Sequence, residues 1–274
     1  MSPTASGIDG EAVWADAHNH IQDSGIAGCA PVSTPCIVNA TCEEDWADVL
    51  AIVADAPCRH AALGIHPWFA ATARAGWDDR LCALLDAHPA AGIGECGLDS
   101  KTRECALDVQ LPVFARQIRL ARELDRPLTI HCVGAWGRLF EMLDREPPPS
   151  RWLLHSFNGS EETAGRLAAM GAYFSISGRA LHPAGEKILA VFKRIPPDRI
   201  LLETDAPNQP PPAEFIAREL SGGLNAPENL GAIGAAVAGR FGFTAREFAA
   251  LTRGNYQKFL GGDLCGVSGS NPTG

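Results

Sequence analysis

The 274-residue chain sets 23 basic against 32 acidic side chains, a formal net charge of −9, and is 46% hydrophobic. That apolar share suffices for a large buried core, while the negative balance opposes a protein that coats nucleic acid through its overall charge and leaves a local nucleotide site open. Nine cysteines (Cys29, Cys36, Cys42, Cys58, Cys82, Cys96, Cys105, Cys132 and Cys265) are odd in number and include no CxxC pair, so reduced thiols in a cytoplasmic setting are expected rather than a disulfide framework. No apolar run reaches the roughly 20 residues that span a bilayer. The opening MSPTASGIDGE has neither the basic nor the apolar region of a signal peptide, so a soluble, unprocessed chain with no membrane partner is expected.

Short β-rich runs then alternate with amphipathic stretches along the chain. A first strand is expected at AVWADA (12–17) and a second at TPCIVNA (34–40), followed by a helix in EEDWADVLAIVADA, where Thr41 and Glu44 have capping-box spacing. HAALGI (60–65) leads into WDDRLCALLDAH, AAGIGE (90–95) into LPVFARQIRLARELD, and PLTIHC (127–132) into WGRLFEMLDREP. RWLLHS (151–156) leads into EETAGRLAAMG, with Ser160 placed to cap the start and Gly171 the end. AYFSIS (172–177) precedes AGEKILAVFKRIP, which Pro196-Pro197 stops, and RILLET (199–204) is the eighth strand. The proline-rich APNQPPPAEF (206–215) reads as a loop, and PENLGAIGAAVAGRFG and TAREFAALTRGNYQKFLG supply the last helices. Apolar residues recur at three and four in the helical stretches. Eight strand–helix repeats predict an α/β protein with a parallel sheet closed as a (β/α)8 TIM barrel, the open doubly wound sheet being the alternative. Residues 1–262 read as one domain, and 263–274, small and turn-forming, as a flexible tail.

Barrel enzymes place their chemistry at the C-terminal ends of the strands, so the residues there decide the function. The first strand ends in Asp16, His18 and His20, the third in His66, the fourth in Glu95 and Asp99, the fifth in His131, the sixth in His155 and the eighth in Glu203 and Asp205. Alternation along a strand puts His18 and His20 on one face, about 7 Å apart, where two neutral imidazoles can converge on one metal ion. His131 and His155, each within an apolar run, could be satisfied core histidines if taken singly. Glu95 and Asp205 are costly inside a barrel mouth unless paired or metal-bound. Four histidines and two carboxylates from five strands together point to a divalent-metal site. His60, His88 and His182 lie at a strand start, a helix end and a loop.

The segments DAHNH, GIHPW, GECGLD, IHC, HSFNG, LLETDAP, NAPENL and GNYQKFL, in this order from Asp16 to about Leu260, resemble the TatD-type metal-dependent hydrolases, several of which are deoxyribonucleases. The resemblance implies a (β/α)8 barrel with two divalent ions. His18, His20 and Asp205 would hold one ion, His131 and His155 the other, and Glu95 would bridge them. It implies hydrolysis of phosphodiester bonds by a metal-activated water, with Asp205 as proton acceptor beside it. His66 is assigned to a substrate phosphate or to charge stabilisation, with a loop-capping role as the competing view, Asp16 to orienting a histidine ligand, Glu203 to structure, and Arg179 to phosphate. Imidazole and carboxylate ligands suit Zn, Mn, Fe, Ni or Co better than Mg or Ca. The expected partner is nucleic acid or a small phosphodiester, most readily a single strand or a 3′ end. Ser100, Asn19 and the HSFNG segment depart from the family pattern and leave the substrate loops open. The alternative is an amidohydrolase or lactonase acting on a C–N or ester bond; such enzymes often bridge their metals with a carboxylated lysine, and no lysine ends strand four or five here. A metal-dependent scaffold without catalysis is a further alternative. The oligomeric state is left open, and a monomer suffices.

Overall fold

The structure, a computed structural model, describes residues 12–23, 33–54 and 56–262. Eight strands run β1 (Asp16–Asn19), β2 (Cys36–Asn39), β3 (Arg59–Leu63), β4 (Gly92–Asp99), β5 (Leu128–Val133), β6 (Trp152–Leu154), β7 (Tyr173–Ile176) and β8 (Ile200–Leu202). They form one sheet in sequential order, and every neighbouring pair is parallel. The seam closes beyond the last ladder: Asp205 N donates to His18 O (2.9 Å) and His20 N to Ala206 O (2.7 Å). An open sheet is thereby removed. The seam also carries a side-chain clasp, because Asp16 accepts hydrogen bonds from Thr204 N (2.9 Å) and Thr204 Oγ1 (2.6 Å).

Each expected strand is present but most are trimmed at their starts, since a run becomes strand only where a neighbour pairs with it. β3 is the exception, beginning one residue early at Arg59, and β4 runs on past its expected end to Asp99. The helices are α1 (Trp46–Ala54), α2 (Trp77–Ala87), α3 (Leu107–Glu123), α4 (Trp136–Arg145), α5 (Glu161–Ala169), α6 (Glu186–Phe192), α7 (Leu230–Phe241) and α8 (Ala245–Leu260). Ser160 caps α5 as expected by accepting from Thr163 N, and Gly171 follows its end at φ 91°. The Thr41–Glu44 pair does not form a capping box: Thr41 bonds through N and Oγ1 to Asp45 (2.8 and 3.0 Å). The capping box lies instead at α8, between Thr244 and Glu247.

Alternation along the strands divides the core. Cys36, Val38, Leu63, Phe174 and Leu202 face outward into the layer beneath the helices. Ala17, Ile37, Ala62, Leu153 and Leu201 form a second cluster with Tyr256, Phe259 and Leu260 of α8, so α8 plugs the N-terminal end of the barrel. The C-terminal end is left for polar side chains. Two buried glutamines of α3 brace that rim. Gln117 bonds both Ile65 N (2.8 Å) and Ile65 O (3.0 Å), and Gln110 bonds Asp99 N (2.8 Å) and Asp99 O (2.9 Å). The expected tail at 263–274 lies outside the described residues.

Candidate metal centre

Glu95 stands at the middle of the barrel mouth, and its two oxygens face different groups of imidazoles. Oε2 lies 3.2 Å from His18 Nε2 and 3.1 Å from His20 Nε2. Oε1 lies 2.8 Å from both His131 Nδ1 and His155 Nε2 and 3.4 Å from His66 Nε2. Asp205 approaches from the seam with Oδ1 3.7 Å from His18 Nε2 and 3.5 Å from His20 Nε2. All six residues expected to ligate metal therefore meet in one place, and His66 joins them. The rings are crowded: His18 and His155 stack at 4.0 Å, and the Nε2 atoms of His18 and His20 are 3.0 Å apart.

Glycine makes this closeness possible on β4. At Gly97, φ is 141° and a Cβ would lie 2.0 Å from His131 O; at Gly94, φ is 152° and a Cβ would lie 2.8 Å from Thr129 Cβ. Both conformations are costly for any residue with a side chain, and they bring β4 against β5 on either side of Glu95.

Behind the converging atoms, oxygen atoms face the outer nitrogens of three imidazoles, one of them at hydrogen-bond distance. His20 Nδ1 meets Asn39 O (2.8 Å), His131 Nε2 meets Asp99 Oδ2 (3.5 Å), and His155 Nδ1 faces Glu203 Oε1 (3.7 Å). Glu203, fully buried, also accepts from Ser175 Oγ. Asp16 differs from expectation, because among the described residues it makes no hydrogen bond to an imidazole. It accepts from the backbone N of His18 (3.3 Å), from Asn19 Nδ2 (3.1 Å) and from Thr204, holding the chain rather than a ring. Asp205 has a dedicated partner: Gln209 Nε2 donates to Oδ2 (2.6 Å), while Gln209 Oε1 accepts from Ser156 Oγ (2.7 Å) and Ser177 Oγ (2.7 Å). Two hydroxyl donors fix which end of the amide faces Asp205. Oδ1 accepts no hydrogen bond among the described residues and is left to the site. Arg179 is exposed and lines a small cavity beside Ser156 and Ser177.

His66 performs two tasks with its two nitrogens. Nδ1 accepts from Trp68 N (3.2 Å), capping the 3-10 turn Pro67–Thr72. In the neutral ring Nε2 then bears the hydrogen, and that hydrogen points toward Glu95. Burial lowers the His66 pKa to about 4, Glu95 opposing it only in part. Burial likewise drives His18 well below its ordinary value. For His20, burial opposes the charged form but the hydrogen bond and charge of Glu95 prevail and raise it to about 9. Glu95 is held well below the carboxylate range: burial would raise it, and His155, His66 and His18 outweigh that. Burial raises Asp205 to about 6 and Asp16 to about 7, against the hydrogen bonds that Asp16 accepts.

The donor set fits divalent metal. His18, His20 and Glu95 form one group whose ligand atoms lie within 4.8 Å of one another, His18, His155 and Asp205 a second, and His66, Glu95 and His131 a third. Nitrogen and carboxylate lone pairs facing a common space repel one another unless a cation or protons intervene.

A barrel whose mouth gathers imidazoles around one shared carboxylate has the architecture of the metal-dependent barrel hydrolases. The family model described as TatD related DNase matches residues 15–261, and the chain belongs to that family. It is 38% identical over 156 residues to the 3′-5′ ssDNA/RNA exonuclease TatD of Cronobacter sakazakii, an alignment covering 53% of this chain and 56% of that protein. The chain thus spans little more than half the length of that relative. It is 30% identical over 197 residues to the metal-dependent hydrolase YjjV of Escherichia coli K12, covering 71% of this chain and 74% of YjjV. The crystal structure of YjjV superposes with a TM-score of 0.81 at 27% identity, covering 91% of this chain and 98% of YjjV. A TatD family hydrolase from Entamoeba histolytica gives a TM-score of 0.76 at 18% identity, covering 90% of this chain and 98% of that one, and so shares the fold.

Asp99, Gln209 and Asn39 were not assigned roles from sequence. Asp99 sits in GECGLD beside Glu95, which is a signal of place but not of partner. Gln209 lies in a proline-rich loop that reads as a connection, and Asn39 acts through its backbone carbonyl.

Proposed function

We propose that this protein is a metal-dependent phosphodiesterase that removes nucleotides from the 3′ end of single-stranded nucleic acid. The observation that supports it best is the division of Glu95, with one oxygen toward His18 and His20 and the other toward His131 and His155. On this view His18, His20 and Asp205 would hold one divalent ion and His131 and His155 a second, Glu95 would be shared between them, and Zn, Mn, Fe, Ni or Co would be suitable occupants. When bound, such a pair acidifies water and draws charge from a phosphoryl oxygen.

The chain's own residues supply the rest. Asp205 Oδ1, free of hydrogen bonds among the described residues, accepts a proton from the water that attacks phosphorus, while Gln209 holds Oδ2 aside; the P–O3′ bond breaks, the terminal nucleotide leaves with the phosphate, and the departing 3′ oxygen takes a proton from solvent. His66 presents an N–H at Nε2 from a neutral ring and donates it to a non-bridging phosphoryl oxygen, stabilising the charge that develops there. Asp99, Glu203 and Asn39 O keep His131, His155 and His20 in the ligating orientation. The amidohydrolase and lactonase alternative is disfavoured because Glu95, not a lysine, occupies the shared position.

Among the described residues no disulfide links the cysteines, and no described helix is long and apolar enough to cross a membrane. A reducing cytoplasmic compartment suits both. The test is to incubate the purified, metal-loaded protein with single-stranded oligonucleotides labelled at either end. A 3′ label should be released first and a 5′ label retained on a shortening ladder, chelator should stop both, and added Zn or Mn should restore them. Cleavage that ignores the chelator, or no cleavage at all, would refute the proposal.

A further inference from the structure

Trp68 is out of keeping with its surroundings. It directly follows a proline in the turn that begins at the site histidine His66, yet 45% of it is exposed. Its polar edge is tied inward, Nε1 donating to Asp99 Oδ2 at 2.8 Å. The indole stands edge-to-face with the His66 ring at 5.1 Å between centroids. Asp99 is itself fixed by the backbone N of Lys101 (2.7 Å) and of Thr102 (3.1 Å).

The turn bearing Trp68 is tied down on both sides. Gln117 grips Ile65 ahead of it, and beyond it Glu43 accepts from Arg74 N (2.9 Å) and pairs with Arg80 Nη2 (2.6 Å). The indole plane is therefore oriented before any ligand arrives, and little side-chain freedom remains to be lost on binding. It lies one ring away from the centre, since His66 Nε2 is 3.4 Å from Glu95 Oε1. A net charge of −9 supplies no general attraction for a polyanion, so an uncharged contact at the mouth has more to do. Stacking of a base on an aromatic face is such a contact, and it tolerates any base.

We infer that the exposed face of Trp68 is a platform for a nucleobase flanking the scissile phosphate. This rests on the phosphodiesterase function proposed above and names how that site grips its substrate. The indole N–H orients the platform through Asp99, and the ring face binds the base.

The metal-loaded enzyme is assayed on a single-stranded oligonucleotide and on two versions carrying an abasic tetrahydrofuran nucleotide at one or the other position flanking the 3′-terminal phosphodiester. Wild type, Trp68→Ala and Trp68→Phe are compared, and binding of the labelled strands is followed by fluorescence anisotropy in chelator. In wild type, one abasic position should lower kcat/KM by about tenfold, the scale of one stacked base. Trp68→Ala should lose about tenfold on the intact strand, mostly in KM and Kd, and less than twofold on that abasic strand. Trp68→Phe, which keeps a ring but not the N–H donor, should stay within about threefold of wild type. Equal losses on intact and abasic strands would overturn the platform, because Trp68 would then act through Asp99 on His131. Unchanged activity in Trp68→Ala, or a wild type that cuts the intact strand and both abasic strands equally well, would overturn it too while leaving the nuclease activity intact. A wild type that cuts no oligonucleotide but hydrolyses an amide or lactone would overturn the underlying function instead.

Discussion

Replacing Glu95 by Gln keeps the shape of the side chain and removes its charge, which isolates what the carboxylate does. Glu95 is 3% exposed, and its oxygens lie 2.8–3.4 Å from five imidazole nitrogens, in two groups. The amide of Gln turns an NH2 toward one group, and a donor cannot ligate a cation. Each group then loses one charged contact, of about 1.5–3 kcal/mol. Over both groups that amounts to roughly 3–6 kcal/mol, so the affinity for the pair of ions should fall at least about 100-fold. His66→Gln offers the contrast. Its Nδ1 is engaged by Trp68 N, leaving the hydrogen of the neutral ring on Nε2; on the proposed assignment it holds no ion, so its loss should change metal affinity less than about threefold, while kcat falls by about 10²-fold as one proposed oxyanion donor is lost. Competition titration against a chromogenic zinc chelator measures both variants, with circular dichroism to verify that they fold. Wild-type affinity in Glu95→Gln, or an equal loss in His66→Gln, would refute the division of roles.

Gln209→Leu removes the only donor to Asp205 Oδ2 among the described residues and should lower kcat by about tenfold with KM little changed, from the loss of one hydrogen bond to a buried charged group; steady-state kinetics showing unchanged kcat would contradict this. Metal binding at pH 7 should release protons. Glu95 raises His20 to about 9 against the effect of burial, so below that pH the metal-free ring is protonated and must give up its proton to ligate. The release should fade as pH rises past about 9, and below about pH 6, where Asp205 also takes up a proton, affinity should drop further. Calorimetry with zinc in two buffers of different ionisation enthalpy reads this directly, and heats independent of buffer would disprove it. Gly97→Ala sets a Cβ 2.0 Å from His131 O at φ 141° and should cost more than about 4 kcal/mol or prevent folding, with a wild-type melting temperature as the contrary result.

Much of this architecture was legible because buried parallel strands are short apolar runs between helical periods. All eight strands fell where the runs lie, and the six ligand candidates were legible because position at a strand's C-terminal end is a property of local sequence. What stayed hidden depends on contacts between distant segments. Nothing near Gln209 reveals that Ser156 and Ser177, 53 and 32 residues away, turn its amide toward Asp205. Gln110 and Gln117 look like ordinary polar positions of an amphipathic helix, yet both are fully buried and clamp loop backbone. Asp16 reads in the sequence as the orienter of a histidine ligand, but its partner Thr204 lies 188 residues on, and only closure of the barrel brings the two together. Thr41 chose Asp45 over Glu44 because α1 begins at Trp46, later than the spacing suggested.

The most direct measurement is kcat/KM of the metal-loaded protein for a single-stranded oligonucleotide against a matched amide and a matched lactone, with Asp205→Asn and chelator-treated enzyme as blanks. A phosphoryl centre would offer two non-bridging oxygens to the proposed pair of ions and the proposed donor His66, whereas a planar amide would offer one. The oligonucleotide should therefore be cleaved faster, and both blanks should be inactive. Faster hydrolysis of the amide or lactone, with the same dependence on Asp205 and metal, would contradict the phosphodiesterase function.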